Sequence, residues 1–470
     1  MRAWMNSRVL LSASVALWAG QALAQSFVFT TIARDGEPLP GLAAGSVAQT
    51  VLLQGLDPAG GLGVFVRQSG PGITADNDDG YWGTDGVSPF SPVLLEGDPA
   101  PGFGPGVVVA RLSDGQAREN GRWAVRGTVE GPGITPLLDD AVIWVDSGAG
   151  LVPVVQSGTG PPPGFPAGAS YTTIGLRDFN DAGHLVFESP VFISPTVRRD
   201  GIFAVARDGT VRLVAQDRAE LPGVPGPRVQ GPRVLERSVD GDGNVLFVGT
   251  LNFPPSPTRP PSRSVVALSR PDGTTEFIAQ SGTQAVGYPV GFELESFGNR
   301  VVSDDGRILL TASVLDDQGV RVGTAIYTGT SASDLRRVVA TGEPAPGFPA
   351  GSVLESFTFE TVNNAGDVTF AGQASIAPGV TFGSDTAIWS QTGTQPIALQ
   401  VREGEPAPGA PVGATFSDLD LRISQAQSPT RLADGTVVFQ TRLRGADTGS
   451  DDGVWARRPD GTISIVTREG

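Results

Sequence analysis

Acidic residues recur in pairs just ahead of short apolar runs: Asp78 and Asp79, Asp139 and Asp140, Asp451 and Asp452, with single acids at Asp200 and Asp385. Hard cations such as Ca²⁺ take six to eight oxygen ligands, carboxylates among them. The six paired residues are therefore the candidate metal ligands, and Ca²⁺ is the candidate cofactor. The competing reading is local, because Asp and Gly are also what a turn uses before a strand. The stretch "DGDGN" at 240–244 has the D-x-D-x-N spacing of a calcium loop. No Glu follows at the distance such a loop needs, and it occupies the phase where another stretch reads "NDAGH", a plain turn.

Other reactive chemistry is scarce. There is no Cys and one His, and all 33 basic residues are Arg. Zinc sites of the His/Cys types are excluded, as are the phosphate-binding loop that needs a Lys and Schiff-base catalysis. A Ser triad would need His184 as its base, but His184 stands where other copies carry Asp, Asn, Arg or Thr, a solvent-facing position. An enzyme would be left with carboxylate acid–base work or a metal-activated water. No catalytic residue is assigned.

Positioning falls to a repeat. The loop "GEPAPG" stands at 342–347 and 404–409, "GDPAPG" at 97–102 and "GEPLPG" at 36–41. Its second Gly recurs at Gly41, Gly102, Gly164, Gly223, Gly287, Gly347 and Gly409, at intervals of 59 to 64 residues. After each loop come an extended apolar stretch, a tight turn, a strand such as "DVTFAG", a variable loop, and a strand ending in a large side chain. A second turn and a fourth strand lead to the next loop. Short β-branched and aromatic runs bounded by Gly, Asp and Asn read as strands. Seven units of four strands, here called a to d, predict an all-β fold, a seven-bladed β-propeller. A β-solenoid or an eight-bladed propeller is the alternative. Fourth-strand equivalents number eight, because "FVFTTIA" (27–33) precedes the first loop and "TISIVTR" (462–468) ends the chain.

Within the loop, proline fixes φ and glycine allows backbone angles closed to other residues, so the loop reads as a stiff crossover. Its acids, Glu37, Asp98, Glu343 and Glu405, are replaced in the degraded copies and form no continuous ring. The d–a and b–c connections share one end of each sheet. The b–c loops vary in length and sequence, and variable loops on a rigid scaffold are where binding resides. Trp82, Trp144, Phe203, Tyr327, Trp389 and Trp455 recur at one phase and read as packing between neighbouring sheets. Trp123 reads as core, and the Pro-rich run 252–262 as a stiff surface loop.

The first 24 residues carry Arg2 and Arg8, an apolar stretch and "ALA" ending at Ala24, the design of a secretory leader cut before Gln25. Residues 25–470 then form a single propeller domain, exported to a periplasm or beyond the cell. Without the leader's two Arg, the formal charge moves from −16 to −18. An acidic surface argues against nucleic acid and anionic membranes. A glycan or protein ligand and a monomeric state are expected.

The combined pattern, N/D-x-x-G-x-x-x-F followed by an aromatic strand and then G-E-P-A-P-G, resembles a family of uncharacterised exported bacterial repeat proteins. The resemblance spans the mature chain. It implies a propeller-like fold and an extracytoplasmic location, and brings no activity with it. The expected function is a non-enzymatic binding or scaffold protein using the variable-loop end. The alternative is an extracytoplasmic carboxylate-dependent hydrolase or lyase acting on polysaccharide.

Overall fold

The computed structural model describes residues 36–42, 44–56, 62–84, 89–118, 122–221, 224–235, 237–253, 262–375, 378–417, 419, 429–432, 434–446 and 451–468. The segment 1–24 expected to be a leader, the strand expected at 27–33, Gly223 and most of the Pro-rich run lie outside them. The chain divides into two compact units, Met1–Asp217 and Arg218–Gly470.

The first unit holds three antiparallel sheets in chain order. Sheet 1 comprises Val47–Leu56, Leu62–Ser69, Asp79–Thr84 and Ser91–Leu95, and sheet 2 Val108–Arg118, Arg122–Glu130, Ala141–Asp146 and Leu151–Gln156. Sheet 3 comprises Gly175–Phe179, Leu185–Ser194, Val197–Val205 and Val211–Gln216, with Ser170–Tyr171 also on its second strand. The second unit holds four. Sheet 4 runs Ala219–Leu221, Val224–Arg233, Val245–Asn252, Ser262–Ser269 and Thr275–Gln280, and sheet 5 Glu293–Val302, Ile308–Leu315, Arg321–Gly329 and Arg336–Ala340. Sheet 6 is Leu354–Val362, Val368–Ala374, Thr386–Gln391 and Ala398–Arg402. Sheet 7 is Thr415–Ser417, Val437–Arg444, Asp452–Arg457 and Ile463–Arg468, with Thr430–Arg431 on its second strand. Among the described residues there is no helix. The fold class is the one expected, an all-β, seven-bladed β-propeller, and seven sheets rather than eight decide the count.

Alternation along the strands explains why they read as nearly continuous apolar runs. Trp144 packs in the cluster shared with sheet 1, while its neighbour Ile143 packs in the cluster shared with sheet 3. Trp389 faces sheet 5 and Ile388 faces sheet 7. Successive side chains point to opposite faces, and here both faces are covered. Trp82, Trp144, Phe203, Tyr327, Trp389 and Trp455 are buried, and so is Trp123.

In all seven sheets the c–d ladder slips by one residue immediately before the recurring position: at Tyr81/Trp82, Ile143/Trp144, Ile202/Phe203, Val266/Ala267, Ile326/Tyr327, Ile388/Trp389 and Val454/Trp455. A bulge bends and twists its strand. It persists in sheet 4, where the residue is only Ala267, so the backbone carries the feature and the aromatic ring fills the room it makes.

The proline loop closes over that ring. The indole Nε1 donates to the carbonyl of the loop's second proline in four sheets: Trp82 to Pro40 at 2.9 Å, Trp144 to Pro101 at 3.0 Å, Trp389 to Pro346 at 3.0 Å and Trp455 to Pro408 at 3.1 Å. Phe348, just past that proline, packs against Trp389 with ring centroids 5.7 Å apart and the planes tilted by 31°. The loop's second Gly must be Gly on two counts. Gly347 has φ +82°, and a Cβ there would lie 2.3 Å from Leu399 Cδ2; Gly102 has φ +79° and the same crowding 2.4 Å from Pro153 Cδ. The loop's other edge joins the next a strand, as in Gly342 N to Leu354 O (2.8 Å) and Leu354 N to Glu343 O (2.9 Å). The repeated loop is thus a clip fastening the a, c and d strands of the sheet it precedes.

Candidate functional site at the loop end of the sheets

Contacts place the b–c loop beside the following d–a loop in each unit. Gln68 Nε2 donates to Asn77 O at 2.8 Å and Gln156 Nε2 to Asp139 O at 2.6 Å, both bracing a b–c loop from the strand ends. In sheet 6, Arg402 Nε donates to Ser384 O at 2.8 Å. The loop acids are engaged locally: Glu343 pairs with Arg337 at 2.9 Å, and Glu405 Oε2 accepts from Arg402 N at 3.3 Å.

The residue just before the d–a loop has a common task. Ser157, Ser281 and Thr341 each accept, through the hydroxyl, a backbone N–H in the first half of the c strand: Ala141 at 2.9 Å, Ser264 at 2.9 Å and Thr324 at 3.0 Å. In sheet 1 this position is Glu96 and in sheet 6 it is Glu403, both carboxylates and both buried. Glu403 accepts from Thr386 Oγ1 (2.9 Å) and Arg444 NH2 (3.0 Å).

Glu96 completes a cluster that includes two of the sequence candidates. Oxygens of Asp78, Asp79 and Glu96 all lie within 4.8 Å of one another, the only such group of three acids found among the described residues. Arg67, opposite Asp79 on the b strand, donates from Nε to Asp79 Oδ1 and from NH2 to Asp79 Oδ2, each at 2.8 Å, and its Nε is 3.7 Å from Asp78. Glu96 Oε1 accepts from Leu112 N at 2.9 Å. Burial first, and then Asp79 and Asp78, push the Glu96 carboxyl above its usual range.

The donor set suits a hard cation, but the guanidinium already holds both oxygens of Asp79. A cation could enter only by displacing Arg67. Ca²⁺ and chelator are therefore expected to leave the thermal midpoint of the native chain unchanged, whereas Arg67→Ala is expected to acquire a Ca²⁺-dependent rise that Mg²⁺ does not reproduce. A Ca²⁺ response in the native chain would instead show that the ion outcompetes the arginine.

A second expectation concerns pH. A carboxyl whose folded pKa exceeds its unfolded value makes the folded state bind more protons, so its effect on stability declines as pH rises from about 4.3, the unfolded Glu value, through the raised value. Glu96→Gln keeps an oxygen for Leu112 N and removes that decline. Its unfolding midpoint is expected to exceed that of the parent at neutral pH and to converge with it below about pH 4. Parallel pH curves would refute the assignment.

The other candidates are placed differently. Asp139 Oδ1 accepts from Thr135 N at 2.5 Å and Asp140 Oδ2 from Leu137 N at 2.9 Å, so this pair caps its own loop. Asp452 pairs with Arg442 at 3.3 Å, and the backbone carbonyl of Asp451 accepts from Leu443 N at 2.7 Å. Asp200 is exposed, 3.6 Å from Arg198. Asp385 is buried, and burial raises its pKa. At 240–244 the Asp240 carboxylate accepts from Asp242 N (3.1 Å), Asn244 N (2.8 Å) and Asn244 Nδ2 (2.8 Å), the work of a turn. His184 is half-buried in the turn before its strand, its backbone N–H donating to Asn180 Oδ1 at 2.8 Å.

What composition did not reveal is where apolar side chains meet solvent. Among the described residues, twelve large hydrophobics are exposed. Ten of them lie at the loop end of their own sheet: Leu137, Leu138, Phe192 and Val197 in the first unit, and Val286, Val290, Val320, Val322, Phe382 and Val412 in the second. Only Val152 and Leu235 lie toward the opposite end. Val290, 94% exposed, and Val412, fully exposed, occupy a turn position held elsewhere by Ala44, Pro105, Ala167 and Ala350.

No curated protein matches the chain in sequence. Among solved structures, Pyrococcus horikoshii acylaminoacyl peptidase aligns with 11% identity and a TM-score of 0.43 over 89% of this chain, which spans 53% of the peptidase. The β-propeller domain of the Trilobed protease from Pyrococcus furiosus aligns with 10% identity and a TM-score of 0.38, covering 89% of this chain and 96% of that one. Polysaccharide lyase Uly1 aligns with 11% identity and a TM-score of 0.35, with 94% of each chain covered. A family model matches residues 4–339 and again 228–470, nearly the whole length, and on that match the chain belongs to DUF7453, a family of unknown function.

Proposed function

We propose that this is an exported, non-enzymatic binding or scaffold protein that engages a protein ligand through the loop end of its sheets. The observation that carries the reading is that, within each unit, nearly all the exposed large apolar side chains lie at the loop end of their own sheets. Scattered exposed hydrophobics are ordinary, whereas their concentration marks an interaction surface. Two of them, Val290 and Val412, stand at a position that other copies of the same repeat fill with alanine or proline, so folding does not require them there. Aliphatic side chains suit a protein surface better than a glycan. The acidic balance, −16 over the whole sequence, favours a basic partner.

Catalysis has less support. Asp79 and Glu96 both hold protein donors, and their oxygens lie closer than the ~5–10 Å that separates paired catalytic carboxylates in glycoside hydrolysis. The test is retention. Mature chain from Gln25 onward is immobilised and exposed separately to the exported proteins and exported polysaccharides of the cells that make it. Protein should be retained, and retention should be lost in the Val290→Ser/Phe382→Ser/Val412→Ser variant but kept in Val152→Ser/Leu235→Ser. Retention of polysaccharide, especially with release of fragments, would sink the reading in favour of a hydrolase or lyase. Protein retention indifferent to the loop-end variant would sink it as well.

A further inference from the structure

Two b–c loops of the first unit are built on one plan, and they differ at their tips. Sheet 1 reads "GPGITADNDD" from Gly70 and sheet 2 reads "GPGITPLLDD" from Gly131. The backbones match through the shared part. Ile73 N donates to Gly70 O and Ile134 N to Gly131 O, each at 3.1 Å. The paired glycines have φ +145° and +81° in one loop and +138° and +83° in the other. Both loops close with the same bond to the b strand, Gln68 N to Asp78 O (2.7 Å) and Val129 N to Asp140 O (2.8 Å). The sheet 2 loop is one residue longer between these fixed points.

The tip of the first loop is Ala75, Asp76 and Asn77, with the Asn77 side chain accepting from Thr74 N at 2.7 Å. The tip of the second is Pro136, Leu137 and Leu138. Leu137 is 92% exposed and Leu138 61% exposed. Leu137 also has φ +65°, a left-handed conformation that a side chain such as Leu rarely adopts and that Asn, Asp or Gly takes more readily. Strained backbone of this kind persists where the surroundings hold it. Here the holders are Asp139 on Thr135 N and Asp140 on Leu137 N, with Leu138 N donating to Thr135 O at 3.1 Å. The polar version in sheet 1 shows that the loop folds without leucines. The leucines are held out in solvent, in one fixed shape.

We propose that Leu137 and Leu138 form a preorganised anchor that inserts into an apolar pocket, rimmed by Lys or Arg, on a partner protein. The charge pattern selects this occupant. From Glu130 to Asp140 the chain carries three acids, Glu130, Asp139 and Asp140, and no base. Such a collar complements cations around a pocket and is repelled by the anionic headgroups that would otherwise welcome two leucines. A rigid tip also loses little freedom on binding. The inference rests on the loop end being a protein-binding surface and adds which loop leads and what it meets.

The experiment places a photoreactive benzoylphenylalanine at position 138 and, separately, at position 77 of the mature chain produced in its own cells. A discrete protein adduct is expected from 138 and none from 77. The adduct should vanish with Leu137→Ser and weaken several-fold as salt screens the acidic collar. Position 138 is exposed and position 77 half-buried at its loop tip, so unchanged thermal midpoints are required to certify that each variant is folded. In parallel, purified chain is mixed with phosphatidylcholine vesicles, with and without phosphatidylglycerol, and is expected to float with neither. Equal adducts from both positions, no adduct from 138, a salt-insensitive adduct or flotation with vesicles would overturn the proposal. If Leu137→Ser/Leu138→Ser leaves protein retention intact while the Val290, Phe382 and Val412 variant abolishes it, the anchor fails and the wider binding function stands.

Discussion

Trp389→Ala is expected to lower stability by about 3–5 kcal/mol, the range for removing a large aromatic from a packed core, with Trp389→Phe costing about 1–3 kcal/mol because it leaves the Pro346 carbonyl without its donor. Two losses combine in the alanine variant. The ring fills space beside the bulge at Ile388/Trp389 and touches both Phe348 of the clip and Phe370 of its own sheet. The indole N–H is also the bond that holds the clip down. The chain contains its own controls. Phe203 occupies the same phase in sheet 3 without a donor, so a phenyl ring is compatible with the geometry. Tyr327 in sheet 5 is fully buried, and its hydroxyl has no hydrogen-bond partner among the described residues. Tyr327→Phe is therefore expected to raise stability by about 1 kcal/mol. Denaturant unfolding of the three variants measures all of this. Trp389→Phe matching the native chain would show that the indole bond contributes nothing, and Tyr327→Phe below the native chain would reveal a partner for the hydroxyl.

The fold was legible because a propeller repeats its punctuation. The glycines of the proline loops, the turns such as "NNAGD" and the aromatic found in every c strand but that of sheet 4 share one phase, and the described loop glycines and turns have a backbone reason to be the residues they are. The clip explains why acid, proline, proline and glycine travel with tryptophan. Their link is a bond to a proline carbonyl, and a carbonyl has no letter in the sequence. The bulge before each aromatic was hidden for the same reason. At the loop end, Asp78 and Asp79 announced themselves as a pair, but Glu96 joins them from the far end of the next strand and Arg67 from the strand opposite. Only the pairing of strands brings those four together. Asp139 and Asp140 look identical to Asp78 and Asp79 in sequence and do something else, because the bond that closes the loop onto the b strand falls on the second acid, Asp140, rather than on the first, and both carboxylates turn onto the loop's own amides. Leu137, Phe382 and Val412 were missed because an apolar letter reads as core until its neighbours are known.

The opposite end of the sheets holds the other large expected effect. Arg431→Ala is expected to destabilise the protein by about 3–5 kcal/mol, the cost of leaving one member of a buried ion pair behind. Asp367 and Arg431 are each only 12% exposed at the side chain, with Arg431 Nε 3.2 Å from Asp367 Oδ2. The pair spans two sheets. Asp367 lies in the a–b turn of sheet 6, where its Oδ1 accepts from Gly393 N at 2.8 Å, and Arg431 comes from sheet 7 and also reaches Ser390 Oγ at 3.2 Å. Removing the arginine strands a carboxylate among turns that offer it one remaining N–H. Removing the carboxylate instead strands a guanidinium, so Asp367→Ala should cost a comparable amount. The double variant Asp367→Ala/Arg431→Ala leaves no orphaned charge and should lose much less than the sum of the two, which is the signature of direct coupling. Additive losses in that cycle would mean that the two residues act separately, each through its backbone contacts. Asp367→Leu/Arg431→Met would then be as damaging as the alanine pair. Coupled losses predict the contrary: this apolar replacement should recover most of the native stability, because packing can replace a buried ion pair at little net cost.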